Sequence, residues 1–108
     1  MKRKDRDFNE LVIKELRDPE FAATYLNEHL SYKGPHHREL ILEALKQIAE
    51  AQGYAQLAKT SGVSRRTFYH AFSSEGNPTL DTFLILLKSV GLNMRFESAK
   101  RGRARRAA

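Results

Sequence analysis

The stretch Gln56-Leu-Ala-Lys-Thr-Ser-Gly-Val-Ser-Arg-Arg-Thr-Phe-Tyr-His-Ala-Phe72 decides the fold of this chain. It predicts a short helix, a turn at Gly62 and a second helix that begins after Ser64. Glycine tolerates the positive backbone angle of a tight helix end, and a serine hydroxyl caps the free amides of the next turn. This order is typical of a helix-turn-helix, in which the second helix enters the major groove of DNA.

The second helix of this stretch separates into two faces. Phe68, Ala71 and Phe72 are three and four residues apart, so we expect them to face the core. The opposite face carries hydrogen-bonding side chains in two pairs, each spaced by four residues: Arg65 with Tyr69, and Arg66 with His70. Arginine bonds two acceptors on the major-groove edge of guanine, or a phosphate, whereas tyrosine and histidine do either more weakly. The alternative is an ordinary solvated face of a helical protein.

Composition limits the protein to a few classes. The chain has 108 residues and no cysteine, which suits one small domain and excludes disulfides and thiolate metal sites. Its longest apolar run, Phe83 to Leu87, is far too short for a signal peptide or a membrane span. We therefore expect a cytoplasmic protein without a membrane association.

The net charge of +6 is concentrated at the two ends. Residues 1–7 carry +2, residues 98–108 carry +5, and residues 8–97 between them carry −1. We predict a disordered basic arm (1–7), a helical domain (8–97) and a disordered basic tail (98–108). The arm and the tail would contact DNA phosphates and make DNA binding more dependent on salt, but they would not select a DNA sequence. The alternative is that they only increase solubility.

The domain is expected to be mainly all-α, with about five helices. The predicted helical segments are Phe8 to Arg17, Asp18-Pro19 to about Tyr32, Pro35 or His36 to Gln52, the helix-turn-helix at 54–72, and Asn77-Pro78 to Gly91. Asp18 suits an N-cap, and Pro19 suits the first helical position. In the last helix, Leu80, Phe83, Leu84 and Leu87 form an apolar stripe.

Residues 92–97 alternate apolar and polar side chains, which predicts one short C-terminal β-strand. A lone strand cannot satisfy its own backbone, so it needs a partner. We favour the same strand of a second copy in a symmetric dimer; the other partners are a different protein or the N-terminal segment. The alternative is a frayed helix tail that packs Leu92, Met94 and Phe96.

No pattern of residues indicates catalysis. His36 and His37 are adjacent, so on a helix they diverge by roughly 100° and cannot easily share a metal. The chain lacks a glycine-rich phosphate loop and a recognisable nucleophile arrangement. We expect a protein that is not an enzyme and that uses no metal and no cofactor.

Three segments carry a family resemblance: the run from Ile48 to Ser73, Glu75-Gly-Asn-Pro-Thr-Leu-Asp-Thr-Phe-Leu84, and Val90-Gly-Leu92. Together they resemble the addiction-module antidote proteins of the HigA-like type, which carry a Cro/repressor-type helix-turn-helix. Asp18-Pro-Glu-Phe-Ala-Ala-Thr-Tyr-Leu-Asn27 is similar to the N-terminal segment of that family. The resemblance covers roughly residues 18–97 and leaves both ends outside it.

The resemblance implies an antitoxin of a type II toxin–antitoxin module. Such proteins silence a small toxin encoded beside them, typically a RelE-like mRNA-cleaving nuclease, and repress their own operon by binding double-stranded operator DNA as homodimers. The alternative is a stand-alone Cro/repressor-type transcriptional regulator that has no toxin. We expect the toxin to contact residues 8–32, which are amphipathic and acidic at Glu10, Glu15, Asp18, Glu20 and Glu28. Otherwise these helices only complete the core or the dimer.

The resemblance also implies which residues contact DNA. By position they are Ser64, Arg65, Arg66, Thr67, Tyr69 and His70, and our set of DNA-binding residues also includes Tyr54 and Gln56. Two residues depart from the broader repressor pattern. Tyr54 stands where glutamine is usual, so a phosphate contact would have to come from its hydroxyl. Phe72 replaces the usual glutamate and gains core area.

Overall fold

The computed structural model describes residues 3–100, with side chains from residue 7 onward. The described residues form six helices: α1 (Arg3–Glu15), α2 (Pro19–Ser31), α3 (His37–Gln52), α4 (Tyr54–Ser61), α5 (Arg65–Ala71) and α6 (Leu80–Ser89). The all-α prediction is confirmed. The expected count of about five is one too low, because it treats the helix-turn-helix segment as one unit, whereas that segment contributes two helices, α4 and α5.

The first helix begins at Arg3, five residues before the expected start at Phe8. Residues 3–7 contain neither glycine nor proline, and their lysine, arginine and aspartate side chains are compatible with a helix. Part of the segment that we assigned to the basic arm is therefore helical. Residues 1–2, and 101–108 of the predicted basic tail, lie outside the described residues.

The start of α2 follows its sequence signals. Asp18 has an extended backbone, and its carboxylate accepts a hydrogen bond from the Glu20 amide at 3.2 Å. Pro19 occupies the first helical position, where its missing N–H costs nothing. The Asp18 N-cap is confirmed.

The core is built around α3, whose buried face includes Leu45, Ile48 and Ala49. Helix α2 packs on α3 through Ala22 and Leu26. Helix α1 adds Val12 and Leu16 to the same cluster. These apolar faces anchor the two N-terminal helices to the rest of the chain.

A polar network supports this packing. The hydroxyl of Tyr25 donates to Gln47 Oε1 at 2.6 Å, and Gln47 Nε2 donates to Asn9 Oδ1 at 2.9 Å. Gln47 is buried, so both hydrogen bonds satisfy polar atoms that water cannot reach freely. The network therefore connects α1, α2 and α3 in a fixed arrangement.

The predicted apolar stripe of α6 is only partly correct. Leu87 is buried and Phe83 is half-buried, but Leu80 is 66% exposed and Leu84 is 39% exposed. The helix instead buries Leu86, which the stripe did not include. The reason is that α6 is apolar on more than one side, so periodicity alone does not decide which side meets the core.

The predicted C-terminal strand is wrong. Residues 92–98 have no regular secondary structure, because the part of the chain that the structure describes has no strand to pair with them. Leu92 is half-buried and donates its amide to Leu87 O at 2.8 Å. Met94 and Phe96 are 44% and 88% exposed, so the alternative, a tail that packs all three apolar side chains, also fails.

The longest helix described is α3, with 16 residues. No described helix combines the length and the apolar character that a membrane span requires.

Candidate nucleic-acid interface

The connection between α4 and α5 has the predicted local geometry. Gly62 adopts a left-handed conformation with φ of +80°, and its amide donates to Ala58 O at 2.9 Å. Ser64 is the N-cap of α5, and its hydroxyl accepts from the Thr67 amide at 3.1 Å. A second hydrogen bond joins the Ser64 and Thr67 hydroxyls at 2.9 Å. The sequence signals at Gly62 and Ser64 are therefore confirmed.

The inner face of α5 is held by two phenylalanines. Phe68 is fully buried and Phe72 is 1% exposed, and their rings stack with centroids 6.3 Å apart. Helix α5 has only seven residues, too few to be stable alone in water. Its conformation therefore depends on this burial, and the prediction that both rings face inward is confirmed.

The outer face of α5 carries the side chains that we selected as candidates for DNA contact. Those with exposed side chains are Ser64, Arg65, Arg66, Thr67, Tyr69 and His70. Among the described residues, neither arginine has a hydrogen-bond or ion-pair partner. Both guanidinium groups are thus available to bond acceptors outside the protein.

Tyr54 and Tyr69 stack at the junction of α4 and α5. Their ring centroids lie 4.1 Å apart with an interplanar angle of 20°. Tyr54 is only 8% exposed, whereas Tyr69 is 52% exposed. The stack restrains Tyr69 on the outer face and leaves Tyr54 mostly inside. Gln56, in the first turn of α4, is exposed.

The surroundings of Tyr54 keep its hydroxyl protonated. Burial raises its pKa well above the ordinary value, and the nearby carboxylate of Glu50 raises it further. The phenol is therefore a neutral hydrogen-bond donor throughout the physiological range.

A cleft lined mostly by polar residues lies between the outer face of α5 and the start of α6. It has a volume of about 490 Å³ and is lined by residues that include Arg66, His70, Asn77 and Thr79. Thr79 is the N-cap of α6, and its hydroxyl accepts from the Thr82 amide at 3.1 Å. The cleft joins donors from both helices on one side of the molecule.

The loop after α5 fixes the end of that helix. Gly76 is buried against the carbonyl groups of His70 and Ala71, and a Cβ at this position would collide with both. Arg38, from α3, donates a hydrogen bond to Gly76 O. Position 76 therefore requires glycine because the backbone approaches so closely.

Sequence reasoning missed the tyrosine stack and Arg38. The stacked rings are 15 residues apart and Arg38 is 38 residues from its partner, so no local pattern joins either pair. The Glu75-Gly-Asn-Pro78 run was the available sequence signal for the loop, but no sequence signal indicated that Arg38 of α3 would contact it. Among the described residues, no three His, Asp or Glu side chains lie close enough together to hold a metal ion.

Comparison with known proteins matches this chain to one family. A sequence model of the family described as "Probable addiction module antidote protein" matches residues 7–98. An uncharacterised protein of Haemophilus influenzae is 36% identical over 95 residues, which cover 88% of this chain and 93% of that protein. No solved structure matches the chain.

Proposed function

Because the chain belongs to the family of probable addiction module antidote proteins, we propose that it is the DNA-binding antitoxin of a type II toxin–antitoxin module. In this proposal it neutralises a small RelE-like mRNA-cleaving toxin and represses its own operon. The family supplies the antidote role. One structural observation supports DNA binding, namely that α5 presents two unpartnered arginines on a helix anchored from behind.

The proposed reading of DNA uses the outer face of α5. Arg65 and Arg66 bond base edges or phosphates in the major groove, and Thr67 and His70 extend the contact. Tyr69, restrained by its stack, contributes a hydroxyl in a defined position. Tyr54 acts mainly by supporting Tyr69, because only 8% of its surface is exposed. Gln56 contacts a neighbouring phosphate.

The proposed toxin surface is the outer side of α1 and α2. Phe8 and Leu11 are 68% and 63% exposed, and they are three residues apart on one side of α1. Residues 7–32 carry six acidic and two basic side chains, and all six acidic ones are exposed. An apolar contact with an acidic rim suits a basic protein, as a nuclease that binds RNA is expected to be.

Autorepression would require two copies of the chain. One α5 helix reads a single half-site, and a two-fold dimer reads two half-sites that are related by the same symmetry. The protein is therefore proposed to act as a homodimer on a palindromic operator. The five basic residues from 98 to 108 would strengthen this binding at low salt without selecting sequence.

The test measures toxin neutralisation and operator binding separately. We expect expression of the neighbouring small basic protein to arrest growth, and co-expression of this chain to restore it. We also expect a labelled promoter fragment to be retarded in a gel, and a shuffled duplex of equal length to bind far more weakly. Promoter binding without growth rescue would favour a stand-alone repressor. Rescue without promoter binding would remove the DNA-binding half of the proposal.

A further inference from the structure

Helix α6 exposes leucines that neither the proposed DNA surface nor the proposed toxin surface uses. Leu80 and Leu84 are 66% and 39% exposed, and their spacing of four residues puts them on one side of the helix. Beside Leu80 is an apolar groove of about 390 Å³, lined in part by Ile41 and Phe83. Exposed leucines next to an apolar groove are typical of a contact surface.

Two opposite charges border the same leucines. Asp81 and Lys88 are both exposed. At about 100° per residue, Asp81 lies about 60° and Lys88 about 40° from Leu84, both in the same direction around the helix. Leu80 and Leu87 lie about 40° and about 60° from Leu84 in the opposite direction around the helix. The face of α6 is thus divided lengthwise, with charges along one edge and leucines along the other.

We propose that this face of α6 packs antiparallel against α6 of a second copy, with the two-fold axis at Leu84. Along the helix, Asp81 lies about 4.5 Å before Leu84 and Lys88 lies about 6 Å after it. The two-fold axis reverses the direction of the second helix and keeps the charged edges together. Asp81 of each copy therefore faces Lys88 of the other, at nearly the same height.

The leucine edge is complementary in the same way. Leu80 of one copy contacts the second copy near Leu87. Leu87 is buried in its own protomer, so the surface around it on that edge is apolar. Leu84 contacts its own counterpart at the axis. One α6 face thus matches itself at the centre and along both edges, as an isologous interface requires.

The charge pattern is what selects a second copy as the occupant. A partner of uniform charge would pair with only one of Asp81 and Lys88 and repel the other. The surface of residues 7–32 behaves differently, because its net charge of −4 repels a second copy of itself. Self-association therefore belongs to α6, whereas the N-terminal helices suit a different protein.

The proposal rests on the proposed homodimer but is tested without DNA or toxin. Sedimentation equilibrium of the full chain is expected to give a dimer. Asp81→Lys and Lys88→Asp should each weaken dimerisation by about tenfold or more, since each places like charges together at two symmetric positions. The double variant D81K/K88D should return to within about threefold of the parent, because both pairs are restored with reversed polarity.

A second set of variants tests the apolar centre. Leu84→Asp should abolish the dimer, while Leu11→Asp, at a leucine of α1 that is even more exposed (63% against 39%), should leave it intact. Circular dichroism verifies that each variant is folded. The proposal would be overturned by a chain that stays monomeric at every concentration, by a dimer that Leu84→Asp leaves unchanged, or by a double variant no better than either single one. Promoter binding is measured separately, so a failed interface is distinguishable from a failed DNA-binding proposal.

Discussion

The outer faces of α5 and α1 differ in the side chains that they expose. Helix α5 exposes Arg65 and Arg66, and it is fixed by the Ser64 cap, the tyrosine stack and the Gly76 loop. Helix α1 exposes Phe8 and Leu11 among acidic side chains. Charged donors on an anchored helix suit the acceptor pattern of DNA, whereas exposed apolar side chains suit a protein that can cover them. This difference supports the proposal of two separate binding surfaces, which mutations should distinguish.

The largest effect is expected where both surfaces depend on the same core. Phe68→Ala should lower the free energy of unfolding by about 3–5 kcal/mol, because it removes a fully buried ring and leaves a cavity. DNA binding and toxin binding should then fail together. Chemical denaturation measures the loss. Phe8→Ala is the control, since that ring is 68% exposed, and it should change stability by less than about 0.5 kcal/mol.

Loss of an arginine from α5 should affect only one surface. Arg65→Ala or Arg66→Ala is expected to weaken operator binding by about 1–3 kcal/mol if the side chain reads a base. Toxin binding should not change. Arg17→Ala removes another exposed arginine, near the other surface, and serves as the matched control. Equal weakening on operator and on unrelated duplex would assign the residue to a phosphate instead.

The N-cap of α5 provides a smaller, local test. Ser64→Ala removes the acceptor for the Thr67 amide and should cost about 0.5–2 kcal/mol of unfolding free energy. Operator binding should weaken, because the first turn of α5 carries both arginines. Ser74→Ala changes an exposed loop serine and should have almost no effect on either measurement. If the two variants behave alike, the cap does not contribute to the stability of α5.

The smallest effect concerns pH. Burial raises the pKa of Tyr54 above the ordinary value of 10.0, so the unfolded chain loses this proton first as pH rises. The contribution of Tyr54 to stability is present below pH 10.0 and is lost above it. Urea unfolding at a series of alkaline pH values should show a shallower decline for Tyr54→Phe. An unchanged slope would mean that Tyr54 ionises as readily in the folded protein as in the unfolded chain.

The features that the sequence predicted correctly are those that depend on residues within about one helical turn of each other. The cap at Asp18, the turn at Gly62, the cap at Ser64 and the buried ring of Phe68 each depend on neighbours only a few residues away. Propensity and spacing are sufficient to locate such features.

The features that sequence did not predict depend on distant packing. Tyr54 and Tyr69 meet only because the Gly62 turn folds α5 back onto α4. Leu80 and Leu84 have the spacing of a buried stripe, but α6 packs against the core through another side, which includes Leu86. The predicted strand failed because alternation describes a side-chain pattern and does not supply a pairing partner.

The most direct test of two separate surfaces is co-purification of tagged chains expressed from the native locus. Parent, R65A/R66A and F8A/L11A chains are compared, and both the promoter DNA and the neighbouring small basic protein are quantified. We predict that R65A/R66A keeps the protein and loses the DNA, whereas F8A/L11A keeps the DNA and loses the protein. Loss of both ligands in either folded variant, or of neither ligand in both variants, would contradict the account.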